Sequence, residues 1–176
     1  MKGWSEDEIR DRTLMAPCGL YCGVCGVYIA TRDDNAKFKT VMGNLYGTRP
    51  EDTACRGCMQ PDPPRKLYGY CQSCEIRACI RKKGFYSCHQ CEKWPCEMIA
   101  NFKIATGARV MKRTIPIWRQ KAEEFGDEKG SAEWARSECE RYHCSFCGHP
   151  LFRGAQVCRT CKKSVADELD GGFSIK

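Results

Sequence analysis

Eleven of the sixteen cysteines lie between Cys18 and Cys96, and no other feature restricts the fold as strongly. The stretch opens with Cys18-Gly19-Leu20-Tyr21-Cys22-Gly23-Val24-Cys25 and closes with Cys88-His89-Gln90-Cys91-Glu92-Lys93-Trp94-Pro95-Cys96. Between them stand Cys55 and Cys58, Cys71 and Cys74, and then Cys79. A C-x2-C step lets two thiolates converge on one ion, because the intervening turn aims both sulfurs the same way. Such steps at 22/25, 55/58, 71/74 and 88/91 predict a domain built on metal.

In a secreted chain this cysteine fraction would signal a disulfide scaffold. The first residues, Met1-Lys2-Gly3-Trp4-Ser5-Glu6-Asp7-Glu8, are charged and carry no apolar segment of a secretory signal. No apolar run approaches the roughly 20 residues that span a bilayer. The expectation is a cytoplasmic protein without a membrane partner, where clustered thiols stay reduced and bind metal. The formal charge of +7 invites a nucleic-acid reading. It counts cysteines as neutral, however, and each tetrathiolate zinc site nets about −2. Three or four such sites would bring the loaded protein near neutrality, so only local basic clusters bear on partners.

Taken in order, residues 1–16 read as a polar lead-in with a short helix capped by Ser5, whose Glu8 completes a capping box. Residues 27–46 have helical spacing, with Asp33 or Asp34 capping the second half and Gly43 or Gly47 ending it. Residues 47–70, with Pro61-Asp62-Pro63-Pro64, read as loop held by metal. Residues 75–84 are a helix closed by Gly84, and Trp94-Pro95-Cys96 starts another. From 108 onward Met111, Ile115, Trp118, Ala122 and Phe125 mark an amphipathic helix that Pro116 should kink or restart. A turn at 126–130 and a second helix capped by Ser131 complete a helical hairpin whose aromatic stripe reads as core.

The tail holds Cys144-x-x-Cys147-Gly148, ten residues, then Cys158-x-x-Cys161, the pattern of a zinc ribbon. Leu151–Ala155 reads as a small hairpin between its knuckles, and residues 167–176 as a fraying end. The fold expected is therefore a small, irregular, metal-stabilised α+β chain. It divides into a cysteine-rich domain of zinc knuckles and short helices (1–107), a helical hairpin (108–142) and a C-terminal zinc ribbon (143–176).

Eleven thiolates do not fill three four-ligand sites, and two partitions stay open. One joins Cys55, Cys58, Cys71 and Cys74, then Cys79, Cys88, Cys91 and Cys96. It leaves Cys18, Cys22 and Cys25 to be completed by His89, a water or a substrate. The other pairs the C-x2-C steps and leaves Cys18, Cys79 and Cys96 over. Cys139, on a helix away from the pairs, reads as a buried apolar residue, and His143 and His149 as neighbours of a ribbon already closed by four cysteines. Zinc, three to four ions, is the expected metal; iron–sulfur clusters accept the same ligands and are the alternative.

The run from Cys18 to Phe102 resembles a cysteine-rich family of bacteria and archaea known only as a domain of unknown function. The likeness rests on Cys18-Gly19-Leu20-Tyr21-Cys22 with Cys25, Tyr28-Ile29-Ala30-Thr31, Cys55-x-x-Cys58, Tyr70-Cys71-x-x-Cys74-Glu75-Ile76-Arg77-x-Cys79, Lys83-Gly84 and Cys88-x-x-Cys91-x-x-x-Pro95-Cys96-Glu97. It implies a metal-binding domain, with zinc the expected ion, and no particular activity. Residues 109–176 resemble the helical and zinc-ribbon extension of some members.

The first functional expectation is a zinc-stabilised binding or adaptor module for nucleic acid or protein. Basic clusters at Arg77, Arg81, Lys82 and Lys83, and at Arg153, Arg159, Lys162 and Lys163 beside Phe146 and Phe152, motivate it. The alternatives are a redox enzyme using Cys18, Cys22 and Cys25 as an open zinc or iron–sulfur site, with His89 and Arg77 at hand, and a thiol redox sensor. No nucleophile elbow, paired-carboxylate motif or phosphate-binding glycine loop accompanies the cysteines.

Overall fold

Ser5 opens the first helix as the sequence predicts. Its Oγ accepts the Glu8 amide at 3.2 Å, and the Glu8 carboxylate accepts the Ser5 amide at 3.0 Å. This helix, α1 (Glu6–Arg10), begins the computed structural model, which describes residues 2–61, 69–165 and 169–170. The lead-in is not a polar appendage. Ile9, Leu14, Met15 and Ala16 are buried in the main core.

The helical stretch expected over 27–46 is two helices, α2 (Gly26–Arg32) and α3 (Ala36–Tyr46). Arg32 holds the Asp33 carboxylate at 2.8 Å, so the cap of α3 falls to Asn35, which accepts the Phe38 amide at 3.0 Å. Helix α4 (Gly69–Gln72) comes next; residues 62–68, which include Asp62, Pro63 and Pro64 of the proline-rich run, lie outside the described residues. Helix α5 (Glu75–Lys83) ends, as expected, at a glycine: Gly84 has φ 67°, as does Gly47 after α3. Helix α6 (Glu97–Ala100) starts one residue after Cys96, so Pro95 precedes it rather than opening it.

Helix α7 (Ala105–Phe125) runs through Pro116 and meets α8 (Asp127–Arg141) at Gly126. Pro116 and Lys112, whose carbonyl loses its partner to the ring, are both exposed, which makes the interruption tolerable. Ser131 does not cap α8. It sits inside the helix, where its Oγ accepts the Trp118 indole N–H at 2.9 Å and donates to the Asp127 carbonyl at 2.6 Å. The register of the hairpin is antiparallel, as Arg113 with Glu138 and Trp118 with Trp134 show. Gly130 lies where the helices come closest, since a Cβ there would strike the backbone of Lys121 and Ala122. Gly130→Ala should therefore destabilise the chain by about 1–3 kcal/mol, as overpacking does. Chemical unfolding measures it, and a neutral or stabilising result would contradict this close approach.

The aromatic stripe is core, as the spacing predicts. Trp118 stacks on Trp134 at 3.8 Å and 5°, His89 stacks on Trp118 at 4.5 Å, and Tyr21 meets Trp134 edge-on at 5.8 Å. The column runs from the 88–91 knuckle to the first cysteine group, and the hairpin is the spacer between them. One core joins residues of the cysteine-rich half, the hairpin and the tail. A second, smaller one joins Val27, Ile29, Ala30, Phe38, Met42 and Cys55, with Phe152 against it.

The α+β expectation is corrected. The described residues are helix-rich, and pairing outside helices is limited to isolated bridges, His143 with Pro150 and Val157 with Ser164. The hairpin expected at Leu151–Ala155 is a turn, closed by the Ala155 amide on Phe152 O at 3.0 Å, and its central residue is bonded to a distant segment. The Arg153 amide donates to Val24 O at 2.7 Å, and its guanidinium to Tyr21 O at 2.9 Å. Of the tail expected to fray, Leu169 is buried and Asp170 pairs with Arg113 and Arg141; residues 167, 168 and 171–176 lie outside the described residues.

Candidate metal centre

In the tail, two C-x2-C segments fold in the same way. The Cys144 amide donates to His149 O and the Gly148 amide to Cys144 O; the Cys158 amide donates to Lys163 O and the Lys162 amide to Cys158 O. The fifth residue of each takes a left-handed turn, Gly148 at φ 67° and Lys162 at φ 62°. Glycine marks that turn in the first knuckle, but lysine gives no such sign in the second. The two turns aim their sulfurs at each other, with Cys144 and Cys161 3.6 Å apart and Cys147 and Cys158 3.7 Å apart. All four sulfurs lie within 4.8 Å of one another, a group that could hold a metal ion. Hydrogen bonds from the Cys161 and Thr160 amides hold the Cys158 thiol down at about 6. The His149 amide lowers the Cys147 thiol, but partial desolvation and the hydrogen bonds with Cys158, Cys161 and Cys144 together outweigh it and push the thiol up to about 12. His143 and His149 stand outside the group.

The eleven cysteines of the first half are spread over both cores: Cys18, Cys22, Cys58 and Cys88 lie in the one shared with the hairpin, and Cys55 lies in the second with Cys25 and Cys71 against it. Cys18, Cys22, Cys55, Cys58, Cys88 and Cys91 are buried, while Cys25, Cys71, Cys74, Cys79 and Cys96 are half-buried. Amides again point at sulfur: Gly57 N to Cys55 Sγ at 3.5 Å and Cys58 N to Cys22 Sγ at 3.3 Å. The Leu20 amide serves Cys18, those of Tyr28 and Val27 serve Cys25, and that of Lys93 serves Cys91. Such donors stabilise thiolates and orient them as ligands. Cys58 lies against Cys22 as well as Cys71, which joins the first cysteine group to pairs the chain-order partition kept apart. Cys79, Cys88, Cys91 and Cys96 line one cavity. Among the described residues, only the tail group brings three or more ligand atoms within 4.8 Å.

Burial pushes the Cys18 and Cys88 thiols up to about 12. Cys91 goes the other way: burial raises it, but the Lys83 ammonium at 3.3 Å and the Lys93 amide outweigh that. His89 is not free to ligate. Its Nδ1 meets Ser87 Oγ at 2.6 Å and its Nε2 meets Asp127 Oδ1 at 2.8 Å. Arg77 is likewise occupied, donating to Cys58 O at 2.8 Å and Gln60 O at 3.1 Å. Cys139 is buried, as expected of an apolar residue. No motif marks Arg119, which clasps the 88–91 knuckle by donating to His89 O at 2.8 Å and Cys91 O at 2.6 Å.

These features define a helix-rich, cysteine-rich protein with a four-cysteine group able to hold a metal ion. Residues 14–101 match the family described as a protein of unknown function, DUF3795, and the chain belongs to it. No curated protein and no solved structure matches the chain. No helix among the described residues is long and apolar enough to cross a membrane.

Proposed function

We propose that the chain is a metal-stabilised binding module. Its tail knuckles hold one zinc ion, its cysteine-rich half holds further metal, and its ribbon meets single-stranded nucleic acid. The observation that carries the metal reading is the sulfur spacing of 3.6 and 3.7 Å in the tail. Tetrahedral zinc with Zn–S bonds of about 2.3 Å sets its thiolates about 3.8 Å apart. Cys144, Cys147, Cys158 and Cys161 would hold the ion, and its charge would keep all four thiols deprotonated.

The partner face is supported by Phe146, which is 58% exposed at the tip of the first knuckle with the Lys163 ammonium 5.9 Å from its ring centroid. Arg159 and Lys162 are exposed on the neighbouring knuckle. An aromatic face flanked by cations stacks a base while the cations meet phosphates. The enzyme and sensor alternatives find less support. Cys18 and Cys22 are buried, His89 and Arg77 are engaged, and the one ribbon thiol held low, Cys158, is fully buried.

The test is titration of the zinc-loaded chain with fluorescent single-stranded DNA and RNA at rising salt. Affinity should fall with salt, and Phe146→Ala should weaken it about 5- to 100-fold, the range of one lost base stack. An affinity indifferent to both changes would remove the nucleic-acid reading and leave a protein partner.

A further inference from the structure

The cysteines that line the cavity in the first half differ from those of the tail in one respect. Cys79 comes from α5, Cys88 and Cys91 from the 88–91 knuckle and Cys96 from the residue that caps α6, yet all four face a single space of about 160 Å³. Their sulfurs do not converge: among the described residues only the tail group has three or more ligand atoms within 4.8 Å. One zinc ion requires sulfurs about 3.8 Å apart. A cavity of this size accommodates a benzene-sized guest. Four thiols spread round such a space suit an occupant that is itself polynuclear.

The rest of the wall points the same way. It is apolar apart from the cysteines, Lys83, Lys93 and the indole of Trp94. The Trp94 indole N–H is buried and has no acceptor within the protein. The Lys83 ammonium lies 3.3 Å from Cys91 Sγ. The thiolates of any metal site can accept such a bond, and the bridging sulfides of a cluster add further acceptors within the cavity itself. Donors to cluster sulfur in an apolar setting are the devices by which proteins hold and tune such groups.

We propose that Cys79, Cys88, Cys91 and Cys96 ligate an iron–sulfur cluster, while the tail knuckles take zinc. This rests on the reading of the first half as metal-binding. The two kinds of centre divide the labour, since zinc has no redox chemistry and the cluster can pass one electron.

The full-length chain, made with iron and cysteine supplied and purified without oxygen, tests this through its iron, zinc and acid-labile sulfide content and its visible absorption. Iron and sulfide should appear in equal amounts, about four of each for a cubane, in a brown protein. Cys79→Ser and Cys96→Ser should lose both and keep the tail's zinc, while Cys144→Ser should do the reverse. Trp94→Phe keeps the ring and removes the N–H, so it should retain the cluster and lower its reduction potential. If the serine variants fail to accumulate, that potential decides, since an unmoved value counts against the site. A colourless protein in which Cys79→Ser loses zinc would overturn the cluster but leave the metal-binding reading standing. A chain whose only metal is the tail's zinc, unchanged by Cys79→Ser and after treatment with ferrous iron and sulfide, would overturn both.

Discussion

Cys158→Ser should bind one zinc ion fewer than the unaltered chain and lose the ordered tail knuckles. Cys158 has no exposed surface, and its sulfur lies 3.7 Å from that of Cys147. Serine keeps the size but gives a poor ligand in place of one already disposed to be a thiolate. Structural zinc contributes about 10–16 kcal/mol of apparent free energy in finger peptides, against about 5–15 kcal/mol for the whole stability of an ordinary domain. The little regular pairing in the tail, two isolated bridges, leaves few other means of support. Leu151, Ala155 and Val165 should lose protection in amide exchange, because they pack where the knuckles meet the core. The Trp118–Trp134 stack lies in the hairpin, so its near-ultraviolet circular dichroism should persist and separate local release from global unfolding. Unchanged zinc content would show that the tail knuckles are not a zinc site.

Trp134→Ala should be the most damaging substitution outside the cysteines. Trp134 is fully buried, stacked on Trp118 at 3.8 Å and touched edge-on by Tyr21. Truncating a buried tryptophan costs about 3–5 kcal/mol, which for a chain of this length lowers the melting temperature by about 10 °C. The effect should also reach the metal sites. Trp118 carries His89, next to Cys88, and Tyr21 precedes Cys22, so loss of the column should quicken the transfer of metal to a chelator. Trp134→Phe, which leaves a ring in place, should recover part of both effects. A loss under about 1 kcal/mol would mean that the column does not couple the hairpin to the knuckles.

The places where local reading succeeded share a cause. The Ser5–Glu8 box, the Gly47 and Gly84 ends and the buried stripe at Met111, Ile115 and Trp118 depend on residues within a turn or two of one another. The tail knuckles belong with them, because C-x2-C and its closing amides span only a few residues. Where it failed, a distant partner had intervened. Asp33 accepts the Lys2 amide from 31 residues earlier in the chain, and Asn35 became the cap. Ser131 bonds Trp118 across the hairpin instead of opening a helix. Arg153, in the middle of the Leu151–Ala155 segment, donates to Val24 and Tyr21, which lie over a hundred residues earlier, and the segment forms a turn instead of a hairpin ladder.

By itself, then, the sequence determined that the chain folds around thiols, where its turns would aim them, and which helix face would be apolar. Spacing and periodicity are local quantities. Only the tertiary structure decided which turns face each other. It drew four sulfurs to within 4.8 Å in the tail and spread Cys79, Cys88, Cys91 and Cys96 round a cavity of about 160 Å³ in the first half. It also committed both nitrogens of His89 to Ser87 and Asp127. The physical reason is that a ligand set is a distance between segments remote in the chain, and that distance is set by the packing of the hairpin between them.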